Sequence, residues 1–270
     1  MSTFLYGANV HASGIRQHYL RFGGRGPALI AVPGIITPAA VWTFVGERLG
    51  GTFDTFVMDV RGRGLSEAGA HLDYSLDAKA ADVIAFAAAL GLDKPIVVGD
   101  SMGARIAIRA ARAAPDAFAH AVLVDPPVSG PGRRAYPSPL PAVLDLLHAA
   151  QKGEAYEALT KPGIARWPEP LLRMRAEWLH TCDERAVVET HKGFHDDDIH
   201  ADLPRIRVPC SLIAATRGDV IRAEDERELR ALLPSMAVRR VADAGHQIPI
   251  DNFEGFIAAL GDVLQQEIPA

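Results

Sequence analysis

The segment Ile96-Val97-Val98-Gly99-Asp100-Ser101-Met102-Gly103-Ala104-Arg105 constrains this chain more than any other. Three β-branched residues in a row read as a buried strand, and the Ala-rich stretch from Met102 to Ala113 reads as a helix. Gly-x-Ser-x-Gly joins the two. A serine in such a sharp strand-to-helix turn has its hydroxyl pushed out at the carboxyl end of a sheet. That geometry requires neighbours without side chains, which Gly99 and Gly103 supply. The N–H of Met102, opening the helix, is then available to hold an oxyanion. Asp100, just before the serine, is expected to be a turn residue with a satisfied carboxylate.

The same strand-then-helix rhythm runs along much of the chain. Apolar runs at Gly14–Phe22, Ala28–Val32, Phe53–Asp59, Ala121–Asp125, Pro209–Ala215 and Val238–Val241 read as strands. Helical spacing appears around Ala39–Leu49, Ser75–Leu90, Ala223–Leu233 and Asp251–Gln265. Alternation of this kind predicts an α/β fold with a mostly parallel sheet flanked by helices. Between residues 126 and 205 the rhythm stops. Pro and Gly breaks separate three helical stretches, and no buried strand is evident. The expected organisation is a core of residues 1–125 and 206–270 with a helical cap, 126–205, inserted between two strands.

Composition narrows the partners. A formal net charge of −5 without clustered Lys and Arg argues against nucleic acid and membrane surfaces. An anionic small molecule would need local guanidinium groups, because the global field does not attract it. The two cysteines, Cys182 and Cys210, form no metal or redox motif and read as core residues. The N-terminus lacks the pattern of a signal peptide and no apolar run is long enough to cross a bilayer, so a cytoplasmic location is the default expectation.

Three further motifs surround the serine. Leu29-Ile30-Ala31-Val32-Pro33-Gly34-Ile35 is a strand ending in a Pro-Gly loop, and the N–H of Ile35 is the expected second oxyanion donor. Asp59-Val60-Arg61-Gly62-Arg63-Gly64-Leu65-Ser66 follows another strand and is expected to brace a glycine turn near the site through Asp59 and Arg61. Ala244-Gly245-His246 follows the last strand. An imidazole there can take and return a proton near neutral pH, so His246 is the expected base. Two carboxylates stand at strand ends where the acid of a Ser-His-acid set would lie: Asp125, and Asp219 in Thr216-Arg217-Gly218-Asp219. Topology alone favours Asp219, the commoner location.

Taken together, Pro-Gly, Asp-x-Arg-Gly-x-Gly, Gly-Asp-Ser-Met-Gly and Gly-His resemble the α/β-hydrolase superfamily across the whole chain. A narrower likeness lies in Val124–Pro137, Gly14–Arg21, Arg175–Cys182 and Asp198-Ile199-His200, which resemble the bacterial N-formylmaleamate deformylases of nicotinate degradation. That resemblance implies a triad of Ser101, His246 and Asp125, in place of Asp219. It implies hydrolysis of an N-formyl amide without cofactor or metal. Two features depart from the pattern: Asp100 replaces a more usual His, and Asp196-Asp197 is unusually acidic. The implied substrate carries a carboxylate, for which Arg133, Arg134 and Arg175 are candidate partners. His195 and His200 are candidate polar contacts from the cap. With Asp198 they also spell H-x-x-D-x-H, but no metal is expected there. Tyr136 and Trp178 are expected chiefly in the cap core. Esterases, carbon–carbon bond hydrolases, cofactor-free oxygenases and ligand receptors of the same fold remain alternatives.

Overall fold

A computed structural model describes residues 1–161 and 167–269. Eight strands form a single sheet: β1 (Phe4–Ala12), β2 (Ile15–Phe22), β3 (Ala28–Val32), β4 (Asp54–Met58), β5 (Ile96–Asp100), β6 (His120–Val124), β7 (Cys210–Ala215) and β8 (Ala237–Val241). Their spatial order is β1-β2-β4-β3-β5-β6-β7-β8. The pairs β1/β2 and β2/β4 are antiparallel, and every pair from β4 to β8 is parallel. Both faces are covered, as a parallel sheet requires. On β3, Ile30 and Val32 face one apolar cluster, while Leu29 and Ala31 face the other. Helices α2 (Leu76–Ala89) and α3 (Met102–Ala113) fill the first face. Helices α1 (Thr43–Leu49) and α10 (Phe253–Leu264) fill the second.

Strand β1 is absent from the sequence-based expectation, although its signal is present. Phe4, Tyr6, Ala8, Val10 and Ala12 alternate with period two, but most of the strand is exposed and so lacks a buried apolar run. Strand β2 begins at Ile15, after a turn at Ser13-Gly14 that folds β1 back on it.

Between β6 and β7 the described residues form helices only: α4 (Leu140–Gln151), α5 (Ala155–Leu159), α6 (Glu169–Trp178) and α7 (Glu184–Asp196). The sequence suggested three helices. The fourth is α5, a five-residue element set off by Gly153. Helix α7 is fixed to the sheet layer by buried cations. Arg63 donates to Ala186 O (3.1 Å) and Thr190 Oγ1 (2.9 Å), and Lys79 donates to Thr190 Oγ1 (2.6 Å). Arg105, on α3, donates to the carbonyls of Pro127, Ser129, Gly193 and Asp197. A guanidinium can satisfy several carbonyls at once, so these residues close the seam without exposing backbone to an apolar interior. Besides α10, the α-helices beyond β7 among the described residues are α8 (Ala223–Leu232) and α9 (Ile248–Asp251), the latter just after His246.

Candidate active site

Ser101 sits between β5 and α3 at φ 52° and ψ −109°, a backbone conformation that non-glycine residues rarely adopt. Tight packing over-determines it. A Cβ on Gly103 would lie 1.8 Å from Val32 O, and one on Gly99 would lie 2.1 Å from Gly103 O. Only glycines let β5, α3 and β3 approach this closely. The elbow presents Ser101 Oγ 2.9 Å from His246 Nε2. On the other side of the ring, His246 Nδ1 is 2.7 Å from Asp125 Oδ2. Asp125 is fully buried, itself at φ 44°, and its Oδ1 accepts from Ala215 N at 3.2 Å. Burial disfavours the charged imidazole, but the hydrogen bond and charge of Asp125 outweigh it and raise the His246 pKa above the ordinary value. A relay of this geometry can draw a proton from a serine hydroxyl and return it to a leaving group.

Asp219 takes no part in the relay. Its carboxylate is exposed and paired with Arg222 at 2.7 and 3.0 Å. The residue of that turn facing Asp125 is Gly218, whose added Cβ would lie 3.8 Å from Asp125 Oδ2. The topological preference for Asp219 therefore fails because the side chain points outward.

The N–H of Met102, at the first turn of α3, and that of Ile35 have no hydrogen-bond acceptor among the described residues. The Ile35 loop is clamped from behind: Arg63, buried to 1% exposure, donates from Nε to Ile35 O at 3.0 Å. Asp59 holds the same region by accepting from Ala39 N (2.6 Å), His18 Nδ1 (2.8 Å) and Leu65 N (3.0 Å). Arg61 instead pairs with both oxygens of Asp82, from Nε at 2.5 Å and Nη2 at 2.6 Å. Of the bracing expected from the Asp-x-Arg motif, Asp59 supplies its part, while Arg61 turns to Asp82 and the unforeseen Arg63 clamps the loop.

Tyr136 is the main residue that sequence reasoning placed elsewhere. It was expected in the cap core, and its ring does pack edge-on against Phe194 and His191. Its hydroxyl, however, lies 3.1 Å from His246 Nε2, over the serine. Burial raises the phenol pKa, so the group stays protonated. Asp100 also departs from expectation. It ends β5, is 4% exposed, and its Oδ1 has no hydrogen-bond partner among the described residues.

The candidate binding residues divide. Arg133 is held by both oxygens of Glu228 at 2.6 and 2.7 Å. Arg134 is held by Asp225 and by the carbonyls of Asp219 and Val220. Two acidic residues of α8, Asp225 and Glu228, capture both guanidiniums, so neither is left as a free cation for a substrate. Arg175 differs. Its guanidinium lies over the Trp167 ring, 4.4 Å from the centroid, and its buried Nε has no acceptor among the described residues. Burial lowers its pKa to about 10. Its helix, α6, packs on the Ala39–Trp42 turn that follows the Ile35 loop.

The ring nitrogens of His195 and His200 are buried and have no hydrogen-bond partner among the described residues, and His195 stacks on His191 with centroids 5.4 Å apart. Asp198 Oδ1 is 3.7 Å from His200 Nδ1, beyond hydrogen-bond reach. Among the described residues, no three His, Cys, Asp or Glu side chains converge as metal ligands. Nor is any described helix long and apolar enough to cross a membrane.

A family model described as alpha/beta hydrolase fold matches residues 27–150. An N-formylmaleamate deformylase of Pseudomonas putida is 55% identical over 268 residues, covering 99% of this chain and all of that protein. A 2-(acetamidomethylene)succinate hydrolase of Mesorhizobium japonicum is 26% identical, covering 85% of this chain and 84% of that protein. Among solved structures, an N-formylmaleamic acid deformylase from Pseudomonas putida S16 superposes with a TM-score of 0.89 at 47% identity. It covers 94% of this chain and all of its own.

Proposed function

This chain belongs to the α/β-hydrolase family, and from that premise we propose that it is a serine hydrolase that splits N-formylmaleamate into maleamate and formate. The reading rests on the 55% identity to a deformylase that runs through the full chain, including the helical segment over the site. The geometry around Ser101 supports it.

His246 Nε2 takes the Ser101 proton as Oγ attacks the formyl carbon. The N–H groups of Ile35 and Met102 hold the oxygen as it gains charge. Asp125 keeps the proton on Nδ1, leaving Nε2 free to act, and stabilises the imidazolium that forms. Collapse breaks the C–N bond, and His246 protonates the departing nitrogen. The retained acyl group stabilises that nitrogen's electron pair, so this amide is easier to cleave than an ordinary one. Water, deprotonated by the same imidazole, then releases formate from the formyl-serine. Arg175 holds the substrate carboxylate: a half-buried guanidinium with no acidic partner among the described residues gains most from an anionic ligand. Tyr136 closes the site above Ser101, within the helical cap of residues 126–205. The location is cytoplasmic.

The test is product analysis. Incubation with N-formylmaleamate yields formate and maleamate in equal amounts. Release of an ester alcohol or a carbon–carbon cleavage product from other carboxylic acids, with no formate from this one, would move the chain to the alternative hydrolase classes.

A further inference from the structure

We propose that Asp100 is a neutral carboxylic acid that serves as a third hydrogen-bond donor to the oxyanion, beside the N–H groups of Ile35 and Met102. The inference rests on the serine-hydrolase reading of the site but not on the identity of the substrate.

Position comes first. Asp100 immediately precedes the nucleophile, and its carboxyl lies against the loop that carries Ile35. A Cβ added at Gly34 would stand 3.3 Å from Asp100 Oδ2 and 3.7 Å from Ser101 Cβ. The loop thus runs close past the carboxyl, in space that a larger residue at position 34 would crowd, with Ser101 on the same side. The carboxyl is almost wholly buried, and no described group donates to its Oδ1. A buried carboxylate without donors is costly, whereas a carboxylic acid in the same place needs only one acceptor. The oxygen that gains charge during attack on the formyl carbon provides that acceptor.

Electrostatics agree with position. The titratable groups facing Asp100 are His246 after β8, Asp125 at the end of β6 and Tyr136 from the helical segment. The Gly34 loop and the first turn of α3 bring none. Burial pushes the Asp100 carboxyl up. His246 opposes that and Asp125 adds to it, and the result is about 7. An ionised Asp100 would repel the oxyanion that Ile35 and Met102 attract, so deprotonation switches the group from donor to obstacle. No proton is transferred from Asp100: it keeps its hydrogen while His246 moves the catalytic proton.

The experiment measures kcat and KM against pH for the wild type, Asp100→Asn and Asp100→Ala. Two substrates are used: N-formylmaleamate and p-nitrophenyl formate, a formyl ester that needs only the nucleophile, base and oxyanion donors. The wild type loses activity on both as pH rises through the Asp100 titration. Asp100→Asn keeps a donor that does not titrate, so the alkaline fall disappears. Asp100→Ala loses about 100-fold or more in kcat with KM little changed. An Asp100→Ala enzyme within a few-fold of wild type overturns the proposal, as does an alkaline fall that persists in Asp100→Asn. The asparagine variant decides the matter if the alanine variant fails to fold. Activity on the ester with none on N-formylmaleamate would refute the substrate reading while the ester profiles still test Asp100.

Discussion

Replacing Asp125 by Asn tests the relay in a way the structure makes quantitative. Asp125 uses both oxygens: Oδ2 faces His246 Nδ1 at 2.7 Å, and Oδ1 accepts from Ala215 N at 3.2 Å. An asparagine has one oxygen for these two donors. If it faces Ala215, its NH2 group confronts Nδ1 and forces the proton onto Nε2, where it blocks uptake from Ser101. If it turns around, its NH2 group meets the Ala215 N–H with no acceptor between them, inside a buried site. The first arrangement is the cheaper, so the inactive tautomer is favoured. Loss of the correct tautomer in a serine triad lowers kcat by about 10⁴-fold, or roughly 5.5 kcal/mol in the barrier. Initial rates of formate release, measured with an amount of variant scaled to that loss, read the effect. Asp219→Asn, at an exposed ion pair, should change the rate by less than about twofold. A large loss in Asp219→Asn, with Asp125→Asn near wild type, would show that Asp219 and not Asp125 orients His246.

Further outcomes follow from the same geometry. His246 must be neutral to accept a proton, and Asp125 raises its pKa. Activity therefore falls as pH drops, with the acid limb of kcat/KM above the ordinary imidazole value of about 6.5. A limb at or below that value would show that the field of Asp125 does not reach the ring. Arg175→Ala should raise KM for N-formylmaleamate by about 30-fold or more, as expected for removing one partner of a buried charged pair. Arg133→Ala and Arg134→Ala should leave KM within about threefold, because their charges are already matched by Glu228 and Asp225. The reverse pattern would place the carboxylate at the start of the helical segment. Arg63→Ala removes the side-chain donor from the carbonyls of Ile35 and Arg61 and cuts the tie to Ala186 O and Thr190 Oγ1, leaving Lys79 as the donor to Thr190 Oγ1. It should destabilise the fold by about 3 kcal/mol or more in urea denaturation, and a change below about 1 kcal/mol would show that Arg63 is not the clamp described.

The sequence showed most clearly those features that depend on local sterics. Ser101 was legible because a buried strand, two glycines and a helix leave one conformation for the residue between them. His246 was legible because it follows the last strand. The acid was not legible from spacing: Asp125 and Asp219 both follow strands, and only the fold determines which side chain turns inward. Arg133 and Arg134 looked like carboxylate ligands because their acidic partners on α8 are about 90 residues away in sequence, at Glu228 and Asp225. Tyr136 reaches His246 across 110 residues, and no periodicity in either segment encodes that contact. Strand β1 is hard to read for a different reason: an exposed edge strand carries only alternation and no buried apolar run.

One comparison ties Ser101 to the reaction: formate release from N-formylmaleamate by the wild type and by Ser101→Ala, both shown to be folded. Steady formate production is expected from the wild type, with a loss of about 10⁴-fold or more in the variant. Formate production at similar rates by both proteins, or by neither, would overturn Ser101 as the nucleophile of a deformylase.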